Sequence, residues 1–164
     1  MTANRSGGSE QSATGQLTLP ALLRLAHANY GLAIRDALHA AGFEDLPPNG
    51  PYVIGAVART GAPLSRIVKS LGVSKQTAGQ LVDTLVVRGY LDRAVDSNDR
   101  RRVTIALTER GRDASGVVAA TVTHLDQELQ ARVGLERLAV TRLTLGAILE
   151  MGKDRTGASD DREG

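Results

Sequence analysis

The sequence predicts a mainly α-helical fold that contains one two-stranded β-hairpin. Apolar residues recur at helical spacing through most of the chain. The spacing changes to every second residue after Gly89, and helical spacing returns after Thr108. With 164 residues, of which 41% are hydrophobic and 23% charged, the chain is long enough for one domain of ordinary globular composition.

The first half of the chain contains one long and one short predicted helix. Apolar residues at helical spacing predict a helix over Leu19–Ala41, and Gly42 provides its stop. The turn-forming run Pro47-Pro48-Asn49-Gly50-Pro51 then separates it from a short apolar helix at Tyr52–Arg59.

Two further helices are predicted to lie on either side of a tight turn. The first spans Leu64–Leu71 and ends at Gly72. The second spans Lys75–Arg88, with Ser74 as its N-cap and Gly89 as its stop. This spacing is typical of a helix-turn-helix, whose second helix enters the major groove of DNA, although an ordinary helical hairpin has the same local pattern.

A β-hairpin follows directly, so that the four elements together predict a winged helix-turn-helix. Its strands centre on Arg93 and Ile105, and the residues 96–99 supply turn chemistry. Three consecutive arginines, Arg100 to Arg102, repel each other unless an anion lies between them. Phosphates or a narrow minor groove are the predicted partners, and a charged tip that only aids solubility is the alternative.

The last part of the chain is again helical. Thr108 is the predicted cap of a helix that stops near Gly134, and a final helix spans about Glu136 to Met151. No long Gly/Ser linker interrupts the chain, which predicts one compact unit between two polar tails. The predicted division is a disordered tail at 1–16, a helical region at 17–46 and 109–152, a winged helix-turn-helix lobe at 47–108, and a disordered tail at 153–164.

Charge is placed unevenly along the chain, although the net charge is only +2. Between Arg59 and Arg112 there are 11 Lys/Arg against 5 Asp/Glu, whereas the rest of the chain holds 9 basic and 13 acidic residues. A basic middle section is typical of an anion-binding surface, and chance clustering on a solvated face is the alternative.

Several classes of function are disfavoured by composition. The chain has no cysteine, which excludes disulfides, thiolate zinc sites and cysteine nucleophiles and fits a reducing compartment such as the cytoplasm. An aromatic content of 2% disfavours reading of single strands by base stacking. No apolar run long enough for a transmembrane helix and no secretory signal is present. Catalytic constellations and closely spaced histidines are also absent, so we expect no enzyme activity, cofactor, metal or membrane association.

The motifs in the middle of the chain resemble those of the MarR family of transcriptional regulators. The resemblance covers about Leu64 to Arg112; the flanking helices match in order and length only. The matching segments are Leu64-Ser65, Leu71-Gly72-Val73-Ser74-Lys75-Gln76-Thr77, Leu81-Val82-Asp83-Thr84-Leu85, Arg88-Gly89-Tyr90-Leu91, the D-x-x-D-R-R element at 96–101, and the L-T-E-x-G element at 107–111.

The resemblance implies a homodimer built from the first and last helices that binds a pseudo-palindromic operator in double-stranded DNA. It also implies a small aromatic or anionic effector bound between the dimer helices and the DNA-binding lobe. The residues placed to line that space are His27, Tyr30, Ile34 and Tyr52, for which plain core packing is the alternative.

The helix period predicts which residues face DNA. Ala78, Leu81, Val82 and Leu85 form the buried face of the second helix, and the opposite face carries Gln76, Gln80, Asp83 and Val87. Glutamine pairs with adenine, so Gln76 and Gln80 are the predicted base readers. The full set of predicted DNA-binding residues is Ser65, Ser74, Lys75, Gln76, Thr77, Gly79, Gln80, Asn98, Arg100, Arg101 and Arg102.

This chain departs from the family pattern at two adjacent positions. Many members carry Ser and Arg where this chain has Gly79 and Gln80, which affects the target sequence more than DNA binding itself. A winged-helix module that binds protein and not DNA is the competing hypothesis, because a fold alone does not decide function. Such a module tends to present an apolar face on its second helix, whereas polar residues are predicted here.

Overall fold

The computed structural model describes residues 15–60, 73–95 and 103–160, and the architecture is mainly helical with one two-stranded sheet, as predicted. The predicted helix Leu64–Leu71 and the wing tip 96–102 lie outside the described residues, as do residues 1–14 of the predicted tail. The described elements are α1 (Leu19–Ala40), α2 (Gly50–Thr60), α3 (Lys75–Val87), β1 (Leu91–Val95), β2 (Val103–Leu107), α4 (Glu109–Val133) and α5 (Leu135–Asp160).

Glycines end α1, α3 and α4 at the predicted positions. Gly42, Gly89 and Gly134 have φ values of 83°, 72° and 84°. Residues that carry a Cβ rarely adopt this positive-φ region. Beyond Gly89, the Tyr90 amide donates to the Leu85 carbonyl oxygen at 2.9 Å, which closes the last turn of α3. The reversal turns Tyr90 into the protein, where its side chain is fully buried.

The hairpin pairs its strands in the predicted antiparallel arrangement. Leu91 lies opposite Leu107, and Arg93 lies opposite Ile105. Leu91 and Ile105 are buried and anchor the sheet on the core. Strand alternation alone would place Tyr90 on the opposite face from Leu91, but Tyr90 precedes the strand and both side chains are buried.

Two helix boundaries differ from the prediction. The helix predicted over Tyr52–Arg59 begins at Gly50, because Pro51 is tolerated in a first turn where an amide hydrogen has no helical partner. The last helix ends at Asp160 and not at Met151, so residues 153–160 of the predicted disordered tail are helical. No proline interrupts that segment, and helical backbone bonding continues through its polar residues.

The core joins elements from both sides of the predicted lobe boundary. Ile34 and Leu38 of α1 are buried with residues of α2, α3 and the hairpin, so the predicted separation of 17–46 from 47–108 does not follow the packing. The buried cluster consists of Ile34, Leu38, Val53, Ile54, Val57, Val82, Leu85, Tyr90, Leu91, Ile105 and Ala114.

The chain divides into two compact units, Met1–Val122 and Thr123–Gly164, and the prediction of one unit is therefore wrong. The first part of α4 packs on the core of the first unit through Val117, Val118 and Val122. In the second unit, Arg142 of α5 donates to Asp126 of α4 at 2.7 Å. Within the described ranges, no helix is long and apolar enough to cross a membrane.

Candidate nucleic-acid interface

The N-terminal end of α3 is fixed by the predicted cap. The Ser74 hydroxyl oxygen accepts a hydrogen bond from the Thr77 amide at 3.1 Å, and the two hydroxyl groups are 2.8 Å apart. Such a cap satisfies one of the amides that the first turn leaves unpaired. Lys75 and Gln76 follow it directly and are exposed, so the first turn of α3 presents a cation and an amide to solvent.

The two faces of α3 lie as the helix period predicts. Ala78, Val82 and Leu85 are buried, and Leu81 is half-buried. The opposite row, which we call the outer row, consists of Gln76, Gln80, Asp83 and Val87, and all four are exposed. A methyl group added at Gly79, beside this row, would meet no atom within 4 Å, so the backbone there is open to close approach.

An ion pair that the sequence does not predict ties the outer row to the hairpin. The Arg93 guanidinium of β1 donates to the Asp83 carboxylate of α3. Both side chains are more than half exposed. Helix α3 and strand β1 are thus joined on the surface as well as through the core.

A second polar cluster lies at the other end of α3, around Asp45 in the loop after α1. The Tyr90 hydroxyl donates to Asp45 Oδ1 at 2.5 Å, and Arg110 of α4 donates to the same oxygen at 2.9 Å. Arg88, which caps α3, donates to the Asp45 carbonyl oxygen. One aspartate therefore connects the α1–α2 loop to the end of α3 and the start of α4.

Arg110 completes this cluster with two further contacts. Its guanidinium carbon lies 4.3 Å from the centroid of the Tyr90 ring, and it also donates to the Arg88 carbonyl oxygen at 2.6 Å. The hydroxyl of Tyr90 holds the pKa of the Asp45 carboxyl below its ordinary value, with Arg110 acting in the same direction. Burial, together with the hydrogen bond to Asp45, raises the pKa of Tyr90 to about 12.

The start of α4 packs tightly on the turn that ends α3. The Thr108 hydroxyl donates to the Gly89 carbonyl oxygen at 2.7 Å and accepts from the Gly111 amide at 2.9 Å, which confirms Thr108 as a cap. A Cβ at Gly111 would lie 2.0 Å from the Tyr90 carbonyl oxygen. These contacts give the L-T-E-x-G element a structural reason for its threonine and its glycine.

This geometry is that of a winged helix, and a comparison with protein families agrees. The model of the MarR family matches residues 44–102, which run from the α1–α2 loop through α3 and the hairpin. This region is similar to the MarR family. The match confirms the resemblance drawn from the sequence motifs, and it favours a regulator over an enzyme, as expected.

Solved structures share the MarR fold over most of this chain. A MarR transcriptional regulator from Methanosarcina mazei has 18% identity and a TM-score of 0.68, over 83% of this chain and 96% of that one. Streptococcus pneumoniae FabT in complex with DNA has 20% identity and a TM-score of 0.70, with 83% and 96% covered. The S. aureus MepR–DNA complex has 20% identity and a TM-score of 0.67, with 83% and 99% covered. No curated protein sequence matches at a significant level.

A cavity of about 610 Å³ lies in the first unit, between α1 and the start of α2. Of the four residues predicted to line an effector site, His27, Ile34 and Tyr52 line it and Tyr30 does not. The rings of His27 and Tyr52 are stacked, with centroids 5.1 Å apart and planes inclined by 13°. Burial raises the pKa of Tyr52 above the ordinary value of a tyrosine.

The cavity wall also carries polar residues for which the sequence offers no local signal. Arg35 and His39 lie on the α1 side, and Glu44 lies in the following loop. His39 and Glu44 are paired at 3.6 Å. The loop that closes the cavity is the same loop that carries Asp45, so the cavity and the end of α3 share one connecting segment.

The buried Tyr90 hydroxyl predicts a specific alkaline behaviour. The ordinary pKa of tyrosine is 10.0. Between pH 10 and about 12, Tyr90 is therefore ionised in the unfolded chain but remains protonated in the folded protein. The contribution of Tyr90 to the free energy of unfolding is complete below pH 10. It is lost as the pH rises towards about 12, which lowers the free energy of unfolding by an amount on the order of 2 kcal/mol. Stability measured by urea unfolding should therefore fall less steeply over this range in Tyr90→Phe than in wild type.

Absorbance titration separates Tyr90 from the other tyrosines. Asp45→Asn removes the acceptor charge, and we expect the last phenol to ionise at a lower pH in that variant. Glu44→Gln is the matched control, because it neutralises the neighbouring carboxylate, which pairs with His39. Identical titrations of the wild type and Asp45→Asn would contradict the assignment of this hydrogen bond.

Proposed function

We propose that this chain is a transcriptional regulator that binds specific sites in double-stranded DNA, with α3 in the major groove. The observation that carries the proposal is the outer row of α3, which is exposed, mostly polar and set beside a β-hairpin within a MarR-family region. Two proteins of the same fold, FabT and MepR, have been solved with DNA. A protein-binding module is less well supported, since Val87 is the one apolar residue of that row.

The first turns of α3 are the proposed reading surface. Recognition helices contact base edges with their N-terminal residues, where Gln76 and Gln80 are exposed. A glutamine amide donates and accepts in the pattern that adenine presents in the major groove. Lys75, Thr77 and Ser74 are placed for phosphate or groove-edge contacts, in addition to the cap that Ser74 forms.

The wing and the preceding helix are proposed to hold the duplex on either side of α3. Both strands of the hairpin lead to the segment that contains Arg100, Arg101 and Arg102, which suits a narrow, strongly negative minor groove. Asn98 in the same segment and Ser65, which precedes α3 in the sequence, are the remaining proposed contacts. These residues lie outside the described ranges, and their assignment rests on the sequence motifs.

We propose a homodimer as the DNA-binding species. Large apolar side chains stand exposed on α1 and α5, among them Leu25, Leu32, Leu143 and Leu149, at 46%, 51%, 75% and 70%. Burial of such residues against a second copy is strongly favourable. A two-fold dimer requires an operator with half-sites about 10 bp apart, so that both recognition helices meet one face of the duplex.

A small aromatic or anionic effector is the proposed signal, and repression the proposed outcome of DNA binding. The stacked His27–Tyr52 pair offers a planar surface, and Arg35 on the same cavity wall offers a charge for an acid. A ligand alters DNA affinity when it favours one dimer geometry over another.

Gln80→Ala tests the reading surface. The side chain is exposed, so the melting temperature should hardly change, while the affinity for the operator should fall by ~1–3 kcal/mol per half-site and that for scrambled DNA much less. Gln127→Ala removes an exposed glutamine from α4 and should leave both affinities unchanged. Operator binding by Gln80→Ala equal to that of wild type would refute the assignment.

In contrast, Arg100→Ala should weaken binding to both duplexes and reduce the salt slope by about one unit per lost contact.

A further inference from the structure

A carboxylate stands on the face of α3 that the proposed function turns towards DNA. Asp83 follows Gln80 by three residues and Gln76 by seven, which places all three in one row along the helix. Its side chain is 58% exposed. DNA carries one negative charge for every 1.7 Å or so of its axis, so an acidic group on this row opposes binding.

The partner of this carboxylate is an arginine of the wing strand. Arg93 donates to Asp83 Oδ1, and its side chain is 56% exposed. Exposed ion pairs of this kind contribute little to stability, so the fold alone does not require one here. The main consequence of the pair is electrostatic. The carboxylate of Asp83 neutralises Arg93, a cation that borders the outer row, so the two groups together carry no net charge.

We propose that Asp83 is a specificity-determining residue that weakens binding to arbitrary DNA by holding Arg93 away from phosphates. The inference rests on the proposed function, because it assumes that the outer row faces a duplex. Discrimination between sites is a difference of affinities. A lower affinity for the wrong site therefore improves discrimination as effectively as new contacts to the right site do. Base contacts by Gln76 and Gln80 favour the operator, and Asp83 disfavours every other sequence.

Asp83→Asn tests this role through a gain in binding. Asparagine keeps the shape of the side chain and releases the charge on Arg93, which becomes available to a phosphate in each protomer. One added phosphate contact should raise the affinity for scrambled DNA about 3- to 10-fold and steepen the salt slope by about one unit. Affinity for the operator should rise less, so that the ratio of operator to scrambled affinity falls.

Asp92→Asn is the matched control for net charge. Asp92 is exposed, precedes Arg93 in β1 and differs from Asp83 in having Ala106 opposite it in the hairpin. The substitution adds the same charge without releasing Arg93, so the salt slope should stay that of wild type. Equal effects of Asp83→Asn and Asp92→Asn on scrambled DNA, or weaker binding by Asp83→Asn, would overturn the proposal.

Arg93→Gln supplies a second readout that a purely structural ion pair would not give. This variant leaves the Asp83 carboxylate unscreened, and the affinity for both duplexes should fall. Adding Asp83→Asn to it should restore binding to scrambled DNA to at least the wild-type level, whereas a double variant no better than Arg93→Gln would overturn the proposal. If wild type binds no duplex, the proposed function fails as well; if wild type binds and only these comparisons fail, the inference alone is wrong.

Discussion

Gly111→Ala should destabilise the protein by roughly 3 kcal/mol or more, which corresponds to a melting temperature about 10 °C lower. The added methyl group would lie 2.0 Å from the Tyr90 carbonyl oxygen and 3.2 Å from Leu107 Cδ2. The clash is with backbone, which cannot rotate away as the end of a side chain does. Relief requires α4 to separate from the turn after α3, with loss of the hydrogen bonds that Thr108 makes there.

Gly116→Ala is the control for this prediction, since it makes the same change about one and a half turns later in α4. A methyl group there meets no atom within 4 Å. Alanine is a better helix former than glycine, so this variant should be more stable than wild type by about 0.5–1 kcal/mol. Thermal unfolding of both variants checks the pair, and a Gly111→Ala protein as stable as wild type would show that α4 does not approach the turn so closely.

Local signals in the sequence predict most of the fold correctly. The caps at Ser74 and Thr108 and the stops at Gly42 and Gly89 depend on backbone geometry within a few residues, which the residue types reveal directly. The exposed row of α3 follows from the helix period in the same way. Prediction fails where a local rule has an exception: proline usually breaks a helix, yet Pro51 lies in the first turn of a helix that begins at Gly50.

The polar contacts between elements are beyond the reach of the sequence. Asp45 meets Tyr90 and Arg110 across separations of 45 and 65 residues, and no periodicity or spacing links these positions. Arg93 and Asp83 are ten residues apart, but their meeting depends on how the hairpin docks on α3. Likewise, the predicted effector residues follow from the family resemblance, and the packing of α1 decides that Tyr30 is not among the cavity-lining residues.

Binding of the proposed dimer to DNA should depend steeply on salt. Basic residues are concentrated between Arg59 and Arg112, and each phosphate that they neutralise releases counterions from the duplex. If the dimer neutralises 6–10 phosphates, the affinity should fall ~10³–10⁵-fold between 50 and 200 mM salt. Because several phosphate contacts act together, this loss of DNA affinity is larger than the effect of any single substitution considered above.

Titration of the purified protein against two duplexes at several salt concentrations tests the central claim most directly. The operator is the sequence most enriched when the protein selects fragments of genomic DNA, and a scrambled version of it is the control. We expect two chains per duplex, a steep loss of affinity with salt for both, and operator binding at least ~10³-fold tighter than scrambled binding at physiological salt. Equal affinity for the two duplexes, or an affinity that hardly changes with salt, would contradict the account of this chain as a sequence-specific DNA-binding regulator.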